Sequence, residues 1–384
     1  MLKKYLIFLP EVQGNVEEEW RQCLKQVSYI QVTGYKLIKL NIFTDLPDYE
    51  TYIKVSQEIG KTILDAFGDQ YPAFNVTVHP PEKPWKVAVE AGYMNTDSSE
   101  VISKVWNSIP YKVIISDSGK EVWAGGLGAG LFPSDTRKAA RAAFDQMRAI
   151  LDTEHMTLNH LVRQWNYIGN ILEVKNEFQN YQIFNEVRSQ NYHKFRSVSG
   201  YPAATGVGMK YGGVILDFCA LKAEKSIKIL AIDNPDQIKP YAYGQQVLKG
   251  MPSSGKRKKQ PPQFERAVLL TNNLCSTLFV SGTASIIGQD IIGIGDVDKQ
   301  TVVTIENINK LTDAKRIEQT AGFPQIDQGR LILLRVYIKN QDDFAKVKSI
   351  CHERFQGVPT LYIEADICRD NLLLEIEAEY SING

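Results

Sequence analysis

The chain is poor in the features that mark secreted, membrane-bound or polyanion-binding proteins. Cysteine occurs five times in 384 residues, at 23, 219, 275, 351 and 368, with no CxxC spacing. That scatter excludes an obvious disulfide framework and implies reduced thiols in a cytoplasmic protein. The five histidines (79, 155, 160, 193 and 352) form no HxH or HxxxH set, so no metal is expected. Lys and Arg together number 44, as do Asp and Glu. There is no net charge to draw nucleic acid or an anionic membrane. No apolar run approaches the ~20 residues of a membrane span. The first such run, in MLKKYLIFLPEV, is broken at Pro10 and Glu11, too early for a signal peptide. What remains is globular composition, 43% hydrophobic and 23% charged, with length for two or three domains.

Within that length, three segments share one layout: a strand, an amphipathic helix, a strand led by proline, then a second long strand. GYKLIKLNIF begins the first unit, NHLVRQWNYI the second and RLILLRVYI the third. Apolar residues at three- and four-residue spacing, such as Phe344, Val347, Ile350 and Cys351, mark the helices. WAGGLGAG followed by DTRKAARAAFDQMRAILD parallels FVSGTASI followed by DKQTVVTIENINKLTD. The pattern predicts an α+β fold of mixed sheets with helices on one face and a pseudo-threefold arrangement. The expected limits are a divergent N-terminal module over 1–112, a central module over 113–250, a basic Pro/Ser/Lys loop over 251–264 and a C-terminal module over 265–384. Counting from the prolines, Pro359 to Glu375 and Pro72 to Ala88 are 16 residues each, and Pro202 to Asp217 is 15. Glu375, Asp217 and Ala88 therefore hold equivalent places. Three such modules in a ring make three similar clefts with different side chains, so only one or two are expected to keep chemistry. Asp217 reads as the remnant of a second cleft or as an N–H acceptor.

Two glycine-rich stretches carry little. GMPSSGKR lacks the Ser/Thr of a phosphate loop and has no strand-then-helix context. GGLGAG at 125–130 lacks an acidic partner at the right distance and reads as a backbone turn. The acidic C-terminal strand is more telling. In LLLEIEAEY, Glu375 and Glu377 share one face and Leu374 and Ile376 the other. A carboxyl in apolar surroundings beside Cys368 and Arg369 can keep its proton near neutral pH and serve as a general acid.

SGTASI at 281–286 and EIEA at 375–378 resemble the Rid/YjgF family of small trimeric proteins. VRQWNYI, YQIFNEVRSQNY, YPAATGVGM, NPDQIKPYAYG, PPQFERA and FVSGTASIIG occur in that order over the middle of the chain. The series resembles the chorismatases, enzymes built from fused Rid-like modules, over roughly residues 115–384. The resemblance implies cleavage of the enolpyruvyl ether of chorismate to pyruvate and a hydroxybenzoate or a dihydroxycyclohexadiene carboxylate, with no cofactor. It implies Glu375 as the proton donor, and Cys368 as a helper in the hydroxybenzoate-forming branch. For the two carboxylates of the substrate the candidates are Arg163, Arg188 and Arg335, because guanidinium binds carboxylate bidentately. Tyr192, Tyr201 and Tyr243 are candidate hydrogen-bonding partners. Backbone amides around Thr205 and Gly206, and at Gly282 and Thr283, would approach the ligand closely. Gln289 departs from the family, whose members usually carry His there. Two other readings stay open: a Rid-type enamine or imine deaminase, needing one arginine for one carboxylate, and a non-catalytic binder of small carboxylates. In each case the partner is a small molecule, with no nucleic acid or membrane, and the protein is a monomer or a homo-oligomer.

Overall fold

The computed structural model describes residues 2–30, 32–252, 258–271, 275–322 and 329–383. Strands and helices alternate as the sequence pattern requires. The first sheet holds β1 (Lys3–Phe8), β2 (Tyr35–Thr44), β3 (Ala73–Thr77) and β4 (Val87–Asn95), with α1 (Val16–Tyr29) and α2 (Tyr49–Phe67) between them. The second takes β5 (Ser99–Trp106), β6 (Ile109–Ser116), β7 (Gly119–Leu127), α3 (Thr136–Thr153) and β8 (Leu161–Gly169). After a short ladder of β9 (Val174–Lys175) and β10 (Phe178–Gln179) come α4 (Asn180–Phe195), β11 (Ala203–Met209) and β12 (Val214–Ala223), which complete that sheet. The third begins with β13 (Lys228–Ile232), β14 (Ala267–Thr271) and β15 (Cys275–Thr283) and is completed by three strands from the last part of the chain. A hairpin of β16 (Ile286–Ile287) and β17 (Asp290–Ile291), then α5 (Val297–Leu311) and α6 (Ala314–Ala321), precede β18 (Arg330–Ile338). The chain closes with α7 (Phe344–Arg354), β19 (Thr360–Glu364), β20 (Asp366–Ile367) and β21 (Leu374–Asn383). β20 crosses over to pair with β11 at the edge of the second sheet.

The shared layout has a structural counterpart. In each unit the proline-led strand runs parallel to the unit's first strand, β3 on β2, β11 on β8 and β19 on β18. The last strand returns antiparallel on the first strand's other side. Aspartates cap the helices: Asp135 accepts Lys138 N–H at the head of α3, and Asp296 accepts Lys299 N–H at the head of α5, both at 3.0 Å. The helices cover the outer faces, α3 and α4 over the second sheet and α5 and α7 over the third. The inner faces of all three sheets meet in one core that includes Phe43, Tyr167 and Tyr337. These three rings surround His79 with centroids 6.2, 5.4 and 6.3 Å away. Burial pushes the His79 imidazole down to about 3, so it stays neutral at the centre.

Sheet membership crosses the expected limits at 112 and 250. β5 and β6 pair onward to β7, and β13 pairs with β14, because each sheet edge takes the next strand in the chain. The basic loop is also less solvated than its composition suggests. Residues 253–257 lie outside the described residues, but Pro262 is buried, and Lys259 N–H donates to Gln245 Oε1 at 2.8 Å.

Candidate active site

The last strand of each unit sets its acidic position against an aromatic residue: Glu375 opposite Tyr337, Asp217 opposite Trp165, Ala88 opposite Phe43. Glu375 stands on the inner face at the seam of the second and third sheets. Across from it β15 is irregular between Val280 and Thr283, where Gly282 lies. A Cβ on Gly282 would overlap Glu375 Oε1, so only glycine leaves room for the carboxyl. Two bonds tie the sheets together at this point: Gly282 N–H donates to Thr205 Oγ1 at 3.1 Å and Ala204 N–H to Ser281 Oγ at 2.8 Å.

A cavity opens from Glu375. Thr205 and Gly206 of β11, Tyr181 and Arg188 of α4, Arg266 ahead of β14, Tyr243, Gly282, and Cys368 and Arg369 after β20 all line it. Three guanidinium groups in this wall have no ion-pair partner among the described residues. Arg188 Nη2 donates to Asn185 Oδ1 at 2.6 Å and leaves Nε unpaired. Arg266 Nη2 donates to Tyr243 Oη at 2.6 Å and to Ile238 O at 2.8 Å, again leaving Nε unpaired. Arg369 Nη1 donates to Gln289 O at 2.6 Å and leaves a buried Nη2 unpaired, with its guanidinium 4.7 Å from the Tyr243 ring centroid. Buried, unspent N–H groups of this kind are costly unless a ligand takes them up.

The two strand carboxyls sit in opposite electrical states. Burial, then the charge of Glu377, pushes Glu375 up to about 8, against the opposing pull of Arg163, the Gly206 backbone and Arg266. Burial therefore favours the protonated form of Glu375 at neutral pH. Burial would raise Glu377 too, but Arg335 and Arg163 overrule it and hold it below the ordinary carboxylate range. Its oxygens lie 2.6 Å from Arg335 Nη1 and 2.7 Å from Arg163 Nη2, and they accept Trp165 Nε1–H at 2.9 Å and the Thr205 hydroxyl. One carboxyl kept neutral beside one kept ionised is the arrangement that separates an acid from a charged support. Burial and the charge of Glu375 push the Cys368 thiol up to about 12, so it faces the cavity as S–H.

Of the residues singled out in the sequence, Glu375, Cys368, Arg188, Thr205, Gly206, Tyr243 and Gly282 meet at this cavity. Five do not. Arg163 stands behind Thr205, locked to Glu377, and Arg335 forms a two-pronged pair with Glu90 at 2.9 and 2.7 Å. Both arginines therefore neutralise buried carboxylates between sheets. Tyr192 donates to Gln164 Oε1 at 2.9 Å, away from the cavity. Tyr201 stacks on Tyr192 and accepts from Gln263. Thr283 donates its hydroxyl to Ser281 O at 2.8 Å. Arg266, Arg369 and Tyr181 were missed, though Arg369 directly follows Cys368 and Arg266 is the last residue but one of the motif PPQFERA. Among the described residues no three His, Cys, Asp or Glu side chains are grouped to hold a metal ion, and no helix is long and apolar enough to cross a membrane.

Comparison with known proteins bears on this site. A family model described as Chorismatase FkbO/Hyg5-like, N-terminal, matches residues 124–220, from β7 to β12. A 3-hydroxybenzoate synthase of Streptomyces hygroscopicus is 30% identical over 258 residues, 65% of this chain and 72% of that protein. The chain belongs to the chorismatase family. A second member, a chorismatase of Streptomyces rapamycinicus, is 31% identical over 226 residues, 56% of this chain and 63% of its own. The chorismatase fold is shared along the length: a crystal structure titled as a chorismatase superposes with TM-score 0.63 at 19% identity, covering 99% of each chain.

Proposed function

We propose that this chorismatase-family chain cleaves the enolpyruvyl ether of chorismate to pyruvate and a hydroxybenzoate or a dihydroxycyclohexadiene carboxylate. The observation that carries the reading is a buried carboxyl, Glu375, in one cavity with three arginines that have no anionic partner among the described residues; burial pushes that carboxyl up to about 8, which suits a proton donor. Chorismate is a dianion, and Arg188, Arg266 and Arg369 supply more cationic donors than one carboxylate would need. That excess favours an ether of two carboxylates over the single-carboxylate substrate of an imine deaminase.

In the proposed reaction the Glu375 O–H proton passes to the terminal CH2 of the enol ether, whose double-bond electrons form the new C–H bond. Positive charge develops on the adjacent carbon and the ether oxygen. Glu375 becomes a carboxylate beside that cation and stabilises it. Water adds to the cationic carbon and returns a proton to the Glu375 carboxylate, giving a hemiketal. The hemiketal then breaks its bond to the ring oxygen, which leaves with a proton, and its hydroxyl becomes the keto group of pyruvate; the ring product is the dihydroxycyclohexadiene carboxylate, from which loss of one water gives a hydroxybenzoate. The Cys368 thiol and the Tyr181 hydroxyl border this space, with the Thr205–Gly206 backbone forming its floor. We place the reaction in the cytoplasm, on the sequence grounds above and the free state of Cys23, Cys219, Cys351 and Cys368.

Purified protein incubated with chorismate, with pyruvate followed by a coupled lactate dehydrogenase assay, tests the reading. Turnover is expected, and Glu375→Gln should lower kcat by about 10²–10⁴, the usual contribution of a positioned general acid. No pyruvate above background from folded protein, or full rate in Glu375→Gln, would overturn it.

A further inference from the structure

We infer that Gln289 is a positioning residue that sets the arginine-bearing wall opposite Glu375; this rests on the reading of the cavity as the site of a dianionic enol ether. Gln289 does not itself line the cavity. It occupies the turn between β16 and β17, and the hairpin is held by Gly288 N–H to Asp236 O at 2.6 Å and Ile238 N–H to Gly288 O at 2.8 Å. From that fixed point the residue reaches the wall twice. Its side-chain Oε1 accepts the Gly244 N–H at 2.9 Å, and its carbonyl accepts Arg369 Nη1 at 2.6 Å.

Both contacts converge on Tyr243. Gly244 is the next residue in the chain, so pinning its amide sets the backbone that carries the ring. Arg369 lies over one face of that ring, 4.7 Å from its centroid, and the Tyr243 hydroxyl accepts Arg266 Nη2 at 2.6 Å. Gln289, Tyr243, Arg369 and Arg266 thus form one connected unit whose free N–H groups, Arg266 Nε and Arg369 Nη2, are those available to an anion. Two guanidinium groups held by one ring keep their spacing only if the ring is held. The short helical segment Pro240–Ala242 ends at Tyr243, whose N–H donates to Pro240 O at 3.3 Å, and the Gln289 carboxamide holds the next amide along, that of Gly244. The inference concerns binding, because the unit forms the wall across from the proton donor.

The bond can be broken from either side. Gln289→Met keeps the side-chain length and removes the acceptor. Gly244→Pro removes the donor. Gly244 has φ −65°, which proline adopts, and Tyr243 before it has φ −59° and ψ 136°, which the residue preceding a proline tolerates. The atoms nearest a Cβ at 244 are those at the end of the exposed, flexible Gln246 side chain, which can move aside. Each variant should raise the KM for chorismate about tenfold, as expected for one lost positioning bond, with a smaller fall in kcat. The double variant should be no worse than the poorer single one, because both remove the same interaction. An unchanged KM in either folded single variant, or effects that multiply toward a hundredfold in the double, would overturn the inference. The same comparison by calorimetric titration of chorismate into Glu375→Gln protein, with and without Gln289→Met, separates the two claims. A Glu375 protein that binds chorismate in a Gln289-dependent way, while the unmutated enzyme releases no pyruvate, would sink the proposed reaction and keep the positioning role. Pyruvate release with no Gln289 dependence would do the reverse.

Discussion

The seam at Glu375 and the seam at Asp217 are built from equivalent parts and end in opposite states. Each places an acid on the last strand of its unit, glycine on the strand beside it, and a proline-led strand from the neighbouring sheet in front. Gly282 makes room for Glu375; a Cβ on Gly125 would sit 2.9 Å from Asp217 Oδ1 and 3.0 Å from Lys39 Nζ. Thr205 and Asn75 are each the third residue after the proline, and Arg163 and Lys39 each pair with the alanine that follows it. At the second seam Lys39 and Asn75 close directly onto Asp217, with Gly126 N–H donating at 2.8 Å, and the space is filled. At the first, Arg163 and Thr205 go instead to Glu377, two residues beyond Glu375. The residue two beyond Asp217 is Cys219, which offers the cation no carboxylate. A second acid thus draws the cation away, leaves Glu375 uncompensated and protonated, and keeps the cleft open. One scaffold serves as structural joint or as the proposed reactive site according to which carboxyl its cation chooses.

Substitutions that blur this difference should have graded effects. Gly282→Ala is the most severe after loss of Glu375 itself. The added methyl displaces the proposed proton donor, and kcat should fall by about 10² or more, since a misplacement near 1 Å can cost that much; near-wild-type kcat would contradict the packing argument. Glu377→Gln should convert the first seam toward the second. With its partner gone, Arg163 acts on Glu375 and lowers its pKa. In the unmodified enzyme kcat/KM should fall as pH rises through about 8, because the acid loses its proton. In Glu377→Gln that fall should begin at lower pH, and a limit that stayed in place or moved up would refute the division of labour. The smallest effect on catalysis belongs to Asp217→Asn. Leaving Lys39 buried without its counter-charge should cost roughly 3–5 kcal/mol of stability, read as a lowered denaturation midpoint, while kcat stays within about threefold. A large fall in kcat with unaltered stability would show the second seam to be catalytic.

The reach of the sequence follows from where each interaction lies. Alternation in LLLEIEAEY put Glu375 and Glu377 on one face because strand period is local. Counting from the prolines matched Glu375 with Asp217 and Ala88, and the three do lie opposite aromatic residues on the neighbouring strands. Arg163 and Arg335 looked like ligand contacts because their true partners, Glu377 and Glu90, are 214 and 245 residues away on other sheets. Tyr192 lies one helical turn past Arg188, just beyond the cavity, which periodicity alone cannot show. Arg266 and Arg369 lie on connections outside the regular strands, so only the meeting of two sheets brings them together.

The central claim is that Glu375 holds a proton at neutral pH, and infrared difference spectroscopy tests it most directly. Spectra of the unmodified protein minus Glu375→Gln, taken from pH 5 to 10, isolate this one carboxyl. The account predicts a protonated C=O stretch at pH 6–7 that gives way to carboxylate bands around pH 8. Carboxylate bands already complete at pH 6 would contradict it.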